Sequence, residues 1–452
     1  MATGDFDLYY SDTPWEAIDK NQRVWYDPDL VSMFRNRAVF ASAIPFVKNL
    51  GAVNATSMVV SQFMDPHPDF TALTTRQIWM PASHVDSRSQ SITFSRYGGK
   101  VAYHEYDDII NYWKVDQRAG LRRILQGSLG VHNIEVMDML ARNAFITGAY
   151  NSGYKMFAGG GSDFAALSTS DKFSPDIALD VWLGMANRGV ASALGANGAQ
   201  NSIICYTTPG VIYDIQKNAS ADDWLSASEY LSINRYEVGM YKNVRFVQAP
   251  QAMLYNCGTV TVQPTVTSAI TAGDGAPDPA SVNVDNVYAV GQSSSGITNY
   301  IQLSAITSLV VGDVVSIHTT RTSAFGITNG VDYREGTLQN RRIISIDAGN
   351  VRITLDRPIM TDMNTDLGGG VYAYVTKGRH IHASIFVGGP QGIVAGVARP
   401  PRFHAPPPVD DFQQVHRFSW DAYMGFNTYR PESFEVVFSA GSFRVKGATV
   451  VQ

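Results

Sequence analysis

The chain is poor in the features that most often announce a function. Of 452 residues only two are cysteine, Cys205 and Cys257. Two thiols in a chain this long make neither a disulfide framework nor a metal cluster, and they favour a reducing, cytosolic origin. No apolar run approaches the ~20 residues that a membrane span needs. The opening stretch "MATGDFDLYYSDTPWEAIDK" is acidic where a signal peptide is basic and then apolar. A basic excess is missing too. The 35 Lys and Arg against 40 Asp and Glu give a net charge of −5, which excludes a strong electrostatic grip on nucleic acid by the chain as a whole.

Catalytic motifs are equally scarce. There is no Gly-x-x-x-x-Gly-Lys-Ser/Thr phosphate loop, no Gly-x-Gly-x-x-Gly at a strand-to-helix turn, no His-Glu-x-x-His and no Gly-x-Ser-x-Gly elbow. His380 and His382 share one strand face and would begin a metal site, but no third ligand stands nearby, so they read as hydrogen-bonded strand histidines. "HEYDD" offers His104, Glu105, Asp107 and Asp108 as an acid/base cluster, against the simpler reading of a solvated strand end. "GDGAPDPAS" has the Asp and Gly of a calcium loop without its ligand spacing or closing Glu, and reads as a linker. Arg118, Arg122 and Arg123 are placed to meet phosphate or, on the favoured reading, to make solvated or inter-subunit pairs. Cys205 lies in an apolar strand and reads as a buried, inert thiol. No cofactor is called for.

What is present is architecture. The length predicts two or three domains. One helix is expected near residues 30–44, stopped by Pro45. "NATSMVVSQF" and "SITFSRYGGKVAYHEY" read as the two strands of a long excursion with a Pro-rich tip between them. Isolated hairpins are marginal in water, so this ribbon must lie on something else. A helix is predicted over residues 115–148, where Leu121, Leu125, Leu129, Val136 and Leu140 recur at spacings of four and seven. Gly127 and Gly130 mark a place where it can bend. Ser174-Pro175 and Thr208-Pro209 look like helix starts, with "NSIICYTT" as a buried strand between those helices. "SADDWLSASEYL" reads as a further helix. From Gly258 to Lys377 the composition turns to Gly, Ser, Thr, Val and Ile, with short strands such as "VVSIHTT", "RRIISID" and "VRITLDRPI". Asp347-Ala348-Gly349-Asn350 joins two of them, with Gly349 available for a positive φ. This segment predicts a β-barrel or sandwich inserted into an α+β domain. The strand in "KNVRFVQAP" leads into it, "HASIFV" resumes the same sheet, and "GGPQGIVAGVA" is expected to start a helix.

One segment carries a family resemblance. "ADDWLSASEYLSINRYEVGMYKNVRFVQAP", through Trp224, Tyr230, Gly239, Arg245, Phe246 and Val247, resembles the major capsid proteins of tailed bacteriophages, in particular the podovirus type. "FSRYGGKVAYHEYDD", "MLARNAFITGA" and "HASIFVGGPQGIVAG" follow the same order, so the resemblance covers residues 50–257 and 378–452. It implies the tailed-phage major capsid fold: an N-terminal arm (1–52), an extended hairpin loop (53–104), a peripheral domain with a spine helix (105–165) and an axial domain (166–257 and 378–452). The β-insert (258–377) stands apart from the family pattern. The implied function is structural: hexamers and pentamers closing an icosahedral shell around double-stranded DNA, which touches the inner face by weak, non-specific contact. The implied partners are copies of the chain itself, a separate scaffolding protein and a portal protein, with room for a decoration protein and no membrane. The implied location is the virion capsid, assembled in the host bacterial cytoplasm. Across subunits, the resemblance lays the loop over a neighbour's spine helix. Ile78, Trp79 and Met80 then supply apolar contact, while Asp65, Asp69 and Asp86 face Arg118, Arg122 and Arg123. Gly127 and Gly130 become the spine bend. Two competing readings are an encapsulin-like compartment shell and an enzyme with a β-sandwich accessory domain.

Some phages join this loop to a neighbour through a Lys–Asn isopeptide bond. Residues 49–99 contain no Lys, and the first is Lys100 at the base of the loop. Assembled particles boiled in detergent should therefore run on a denaturing gel as one band near 49.4 kDa. A ladder of covalent oligomers would contradict this.

Overall fold

The computed structural model describes residues 39–44, 47–49, 57–63, 85, 87–104, 120–190, 203–218, 224–226, 236–275, 298–319, 338–359, 362–389, 392–405 and 415–442. In chain order these form β1 (Val47–Asn49), the hairpin strands β2 (Ser57–Phe63) and β3 (Ser87–Thr93), β4 (Ser95–His104) and the long helix α1 (Gly120–Ser152). Then come β5 (Lys155–Phe157), α2 (Pro175–Asn187), β6 (Ile203–Thr207), α3 (Pro209–Asn218), β7 (Trp224–Ser226), β8 (Glu237–Tyr241), β9 (Val244–Gln248) and β10 (Met253–Leu254). A run of β elements follows: β11 (Val260–Val262), β12 (Thr265–Val266), β13 (Ile301–Gln302), β14 (Val314–His318), β15 (Leu338–Asp347), β16 (Arg352–Leu355) and β17 (Ala373–Gly378). The chain closes with β18 (Ile381–Val387), β19 (Ile393–His404), β20 (Val415–Thr428) and β21 (Phe434–Ser439).

Among the described residues the largest sheet runs β5-β21-β18-β6-β9-β8-β7, with β10 beside β18. Every residue of β6, β18 and β21 is buried. Such unbroken buried runs, mostly apolar, suit a sheet covered on both faces. On one face Tyr206, Ile385, Val436 and Phe438 meet Phe145 and Ile146 of α1. On the other, Cys205, Phe246, Phe386 and Val437 meet Val181 and Met185 of α2 and Val211 and Ile215 of α3. The period-two alternation along each strand therefore feeds two separate cores. β9 and β18 share this sheet with β6 between them, as the sequence predicts.

The second sheet, β1-β19-β20-β4, is built from longer strands. The N-terminal half of α1 lies on it. Leu129, Val136 and Leu140 pack against Phe418, Trp420, Ala422 and Met424 of β20. The described part of the predicted stripe, Leu129, Val136 and Leu140, is therefore the helix face on this sheet. At 1.5 Å per residue, the 33 residues of α1 span about 50 Å.

Several expectations need correction. α1 continues past Gly148 and stops at Ser152, followed by Gly153 with φ 83°. Gly148 is a packing residue: a Cβ there would lie 2.2 Å from Thr428 Oγ1 and 2.9 Å from the Phe434 ring. The helix runs through Gly127 and Gly130 as one element, and a Cβ at either would meet open space. Trp224–Ser226, expected in a helix, is β7, paired antiparallel with β8. Ile393 onward, also expected to be helical, is β19, held between β1 and β20. In both cases sheet pairing overrides local propensity. The turn after β15 takes its positive φ at Val351 (54°) rather than at Gly349, while the Asp347 carboxylate accepts from the Gly349 and Asn350 amides. Of the helix expected over 30–44, residues 39–44 are described and hold one short 3-10 turn, Ala41–Ala43.

Residues 260–378 make a separate sheet, ordered β11-β17-β14-β15-β16-β13. It has its own core of Ile301, Val315, Ile317, Ile343, Ile353, Leu355 and Val375. The two ends of this segment are hydrogen bonded to each other. The Gly258 amide donates to the Arg379 carbonyl (2.9 Å), and the Arg379 amide to the Thr259 carbonyl (3.0 Å). The whole is α+β with an inserted all-β domain.

The two kinds of glycine in α1 give opposite forecasts. Gly148→Ala should destabilise the chain by about 1–3 kcal/mol, as overpacking does. Gly130→Ala should gain up to about 1 kcal/mol from helix propensity. Urea unfolding of both variants checks this; equal shifts of the same sign would contradict it.

Candidate interaction surfaces

Buried polar groups are where chemistry or assembly would show, so each cluster matters. Asp138 and Arg142 lie one turn apart on α1, both almost fully buried. The Asp138 carboxylate accepts from the Ala41 amide (2.9 Å). Burial pushes its pKa up, against the pull of the backbone amides of residues 39–41 and of Arg142. Arg142 donates to the Gln251 carbonyl (2.6 Å), just before β10. One helix face thus holds two distant chain segments.

A second cluster sits where the last described residues meet α3. Asp214 accepts from the Ser442 amide (2.9 Å) and hydroxyl (2.6 Å), and Lys172 Nζ lies 3.5 Å from it. The serine hydroxyl is spent on a carboxylate, and the lysine is ion-paired. That arrangement anchors residues 440–442 instead of activating a nucleophile. Beside it, His382 Nδ1 bonds the Thr208 hydroxyl, and the Thr208 carbonyl accepts from the Ile212 amide at the start of α3. The other member of the sequence pair, His380, accepts from the Asn256 amide (3.2 Å). Both imidazoles have protein partners, and among the described residues no group of three His, Cys, Asp or Glu is arranged to hold a metal ion. Cys205 is fully buried, and desolvation holds its thiol well above the usual range. Asp274, from the calcium-like stretch, accepts from the Thr271 (2.7 Å) and Thr298 (2.6 Å) amides and shapes its own loop.

On the long sheet Asp421 is buried among Arg96, Arg399 and His404. Burial would raise its pKa, but His404, Arg399 and Arg96 outweigh that and hold it down to about 2.

The hairpin is rooted on this same sheet, on the face away from α1. Val60 and Ile92 pack on Val394 of β19. The Asn427 side chain donates to the Ser91 carbonyl (2.6 Å), and Arg88 pairs with Glu432 (3.0 Å). The hairpin's other face stays open, with Val59 63% and Val85 47% exposed. Sequence reading saw that the ribbon needs support but missed these root contacts, because they come from residues more than 300 positions away.

Part of the family-like segment comes together; Tyr230 lies outside the described residues, and Val247 faces the core on the other side of the sheet. The Trp224 ring lies tilted against that of Phe246 (5.5 Å between ring centres). It covers Gly239 so closely that a Cβ there would lie 2.4 Å from the indole. Arg245 pairs with Glu237 (3.1 Å). Trp224, Gly239 and Phe246 are thus one packing unit at the sheet edge. Of the proposed contact residues, Asp65, Asp69, Ile78, Trp79, Met80, Asp86 and Arg118 lie outside the described residues. Arg122 and Arg123 lie in the first turns of α1, where only the backbone is described.

No protein-family model matches the chain, and no curated protein matches it in sequence. Solved structures do match. Superposed on a chain of the capsid of Ralstonia phage GP4, this chain gives a TM-score of 0.52 at 8% identity, over 94% of its own length and 96% of the other's. The chain has the tailed-phage major capsid fold. The capsid of cyanophage P-SCSP1u (TM-score 0.46, 11% identity, 98% and 96% covered) and that of cyanophage Pam1 (0.44, 8%, 88% and 91%) are similar to a lesser degree.

His382 gives a pH forecast. Burial pushes its pKa from 6.5 down to about 4, against the opposing pull of Asp214. A depressed histidine pKa means that the unfolded chain binds the proton more readily. Stability is therefore intact above about pH 6.5 and falls as pH drops towards about 4. The loss from this group is at most about 3 kcal/mol. Urea midpoints measured from pH 7 to pH 4 should fall less steeply in His382→Gln; an unchanged slope would rule the group out.

Proposed function

We propose that the chain is a structural major capsid protein that self-assembles as hexamers and pentamers into an icosahedral shell enclosing double-stranded DNA. The observation that carries this is the near full-length superposition on a phage capsid chain, 94% of this chain on 96% of that one. The polar clusters support the same reading. Those around Asp214 and Asp138 hold chain segments in place, and neither presents an activated nucleophile to solvent.

On this reading residues 1–52 form the arm, 53–104 the loop, 105–165 the peripheral domain, 166–257 with 378–452 the axial domain, and 258–377 the insert. The insert stands on the outer shell face, where added bulk disturbs neither closure nor DNA. A separate scaffolding protein guides assembly, since the arm carries no long charged helical segment. A portal protein completes the shell in the host cytoplasm. The loop of one subunit crosses the spine helix of the next. Burying Ile78, Trp79 and Met80 contributes roughly 1.5–3 kcal/mol each. The pairs between Asp65, Asp69 or Asp86 and Arg118, Arg122 or Arg123 contribute only about 0–1 kcal/mol and set register. Gly127 and Gly130 let the spine bend in a precursor shell.

Negative-stain microscopy of the chain co-expressed with its scaffolding protein tests the reading: shells or capsomers are expected, and a compact monomer would refute it. Within that assay Trp79→Ala should leave a folded subunit that forms no stable shells. Arg122→Glu should weaken assembly less, and more at low salt than at high salt. Normal Trp79→Ala particles beside a salt-independent loss in Arg122→Glu would reverse the ranking.

A further inference from the structure

The hairpin root crosses the long sheet over two glycines. Gly396 of β19 and Gly425 of β20 are direct partners across the ladder. Over them pass Ile92, Thr93 and Phe94, through which the chain turns from β3 into β4. A Cβ on Gly425 would lie 2.3 Å from the Thr93 carbonyl oxygen and 2.8 Å from the Ile92 side chain. One on Gly396 would lie 2.7 Å from the Phe94 ring. Neither glycine has a positive φ, so the site needs the missing side chain and not an unusual backbone.

The consequence is directional. A two-stranded ribbon cannot hold itself in place, so its root contacts decide where it points. Here backbone lies on backbone at one place, and Asn427–Ser91 and Arg88–Glu432 hold the strand beyond it. Clearing a Cβ at Gly425 would lift the crossover by about 1 Å. Lifted at its base, the hairpin leaves the sheet at a different angle, against the hold of those two contacts.

We propose that the Gly396–Gly425 pair is an aiming seat. It sets the direction in which the hairpin leaves its subunit and, resting here on the capsid reading, the place where the hairpin meets a neighbouring copy. The two positions differ in kind. Gly425 faces a backbone oxygen that cannot step aside, whereas Gly396 faces the edge of a ring that can be trimmed.

Hydrogen exchange on the soluble full-length subunit, followed by shell assembly with the scaffolding protein, tests this. Gly425→Ala should speed exchange across residues 57–63 and 87–93 by about tenfold or more, with β6 and β18 unchanged, and should abolish regular shells. Gly396→Ala should have a smaller effect of the same kind, reversed in Gly396→Ala/Phe94→Leu. Gly184→Ala, with nothing nearer to its Cβ than Glu435 Oε2 at 3.8 Å, should behave as wild type. If Gly425→Ala does not fold, the Gly396 pair of variants decides. Unchanged hairpin exchange in the folded variants, or no reversal by Phe94→Leu, overturns the seat. Regular shells from a variant with a loosened hairpin overturn its link to assembly. Failure of the wild-type chain to form shells would instead refute the capsid reading, while the exchange data would still decide the seat.

Discussion

One helix has to serve two sheets. α1 packs on both the long sheet and the central one, with Leu129 and Val136 against β20 and with Phe145 and Ile146 in the core shared by β18, β21 and β19. That places demands on side chains at both ends. Near the start, Trp420 donates its indole N–H to His132 (3.2 Å), and Gly99 leaves room for both rings. Near the end, Phe145 meets Phe434 edge-on, 5.3 Å between centres, and Gly148 lets β20 come close. A break between these ends would loosen a join that Ile393 and Ala395 of β19 also make, by sharing a core with β18 and β21.

The buried charges on α1 follow from that role. A helix that only filled a core would need no Asp138 or Arg142, and burying either is costly unless hydrogen bonds compensate. Here each reaches a segment that is outside any strand and holds only a short 3-10 turn: residues 39–43 and Pro250–Ala252. Those segments carry backbone groups that no ladder satisfies, and the two side chains supply the missing partners. The helix is therefore a fastening point for the arm as well as a packing surface.

Much of this was legible in the sequence where the signal was local and strong. β6, β9 and β18 are short and bounded by turns, and the composition change between β9 and β18 pointed to one sheet for those two, whereas the place of β6 between them shows only in the pairing. The hairpin was visible only in part: β3 (Ser87–Thr93) begins in a stretch that reads as turn-rich, and most of the run expected as the returning strand is β4, which pairs with β20. The leucine stripe of α1 was visible too, but its end was misread, since Gly148 looks like a stop and is a contact. The apolar run from Ile393 is compatible with either a buried strand or a helix, and only its partners decide. Trp224 stood out as part of a family-like motif, yet its strand character depends on Gly239 lying beneath its ring. The root of the hairpin was beyond reach, because Asn427, Glu432 and the glycine pair gain meaning only when β3 lies across them.

The junction of the inserted domain has a mechanical consequence. β10 pairs with β18 at Met253–His382 and Leu254–Ile381, and a few residues on β11 pairs with β17 at Val260–Gly378. Both legs of the insert are thus extensions of strands already paired in the central sheet. Force pulling the insert away from its subunit would load both legs in the same direction. It would pass into β18, whose bonds to β21 run along six residues and must yield together in shear. A large inserted domain can therefore be carried on two strands without becoming the weakest joint of the molecule.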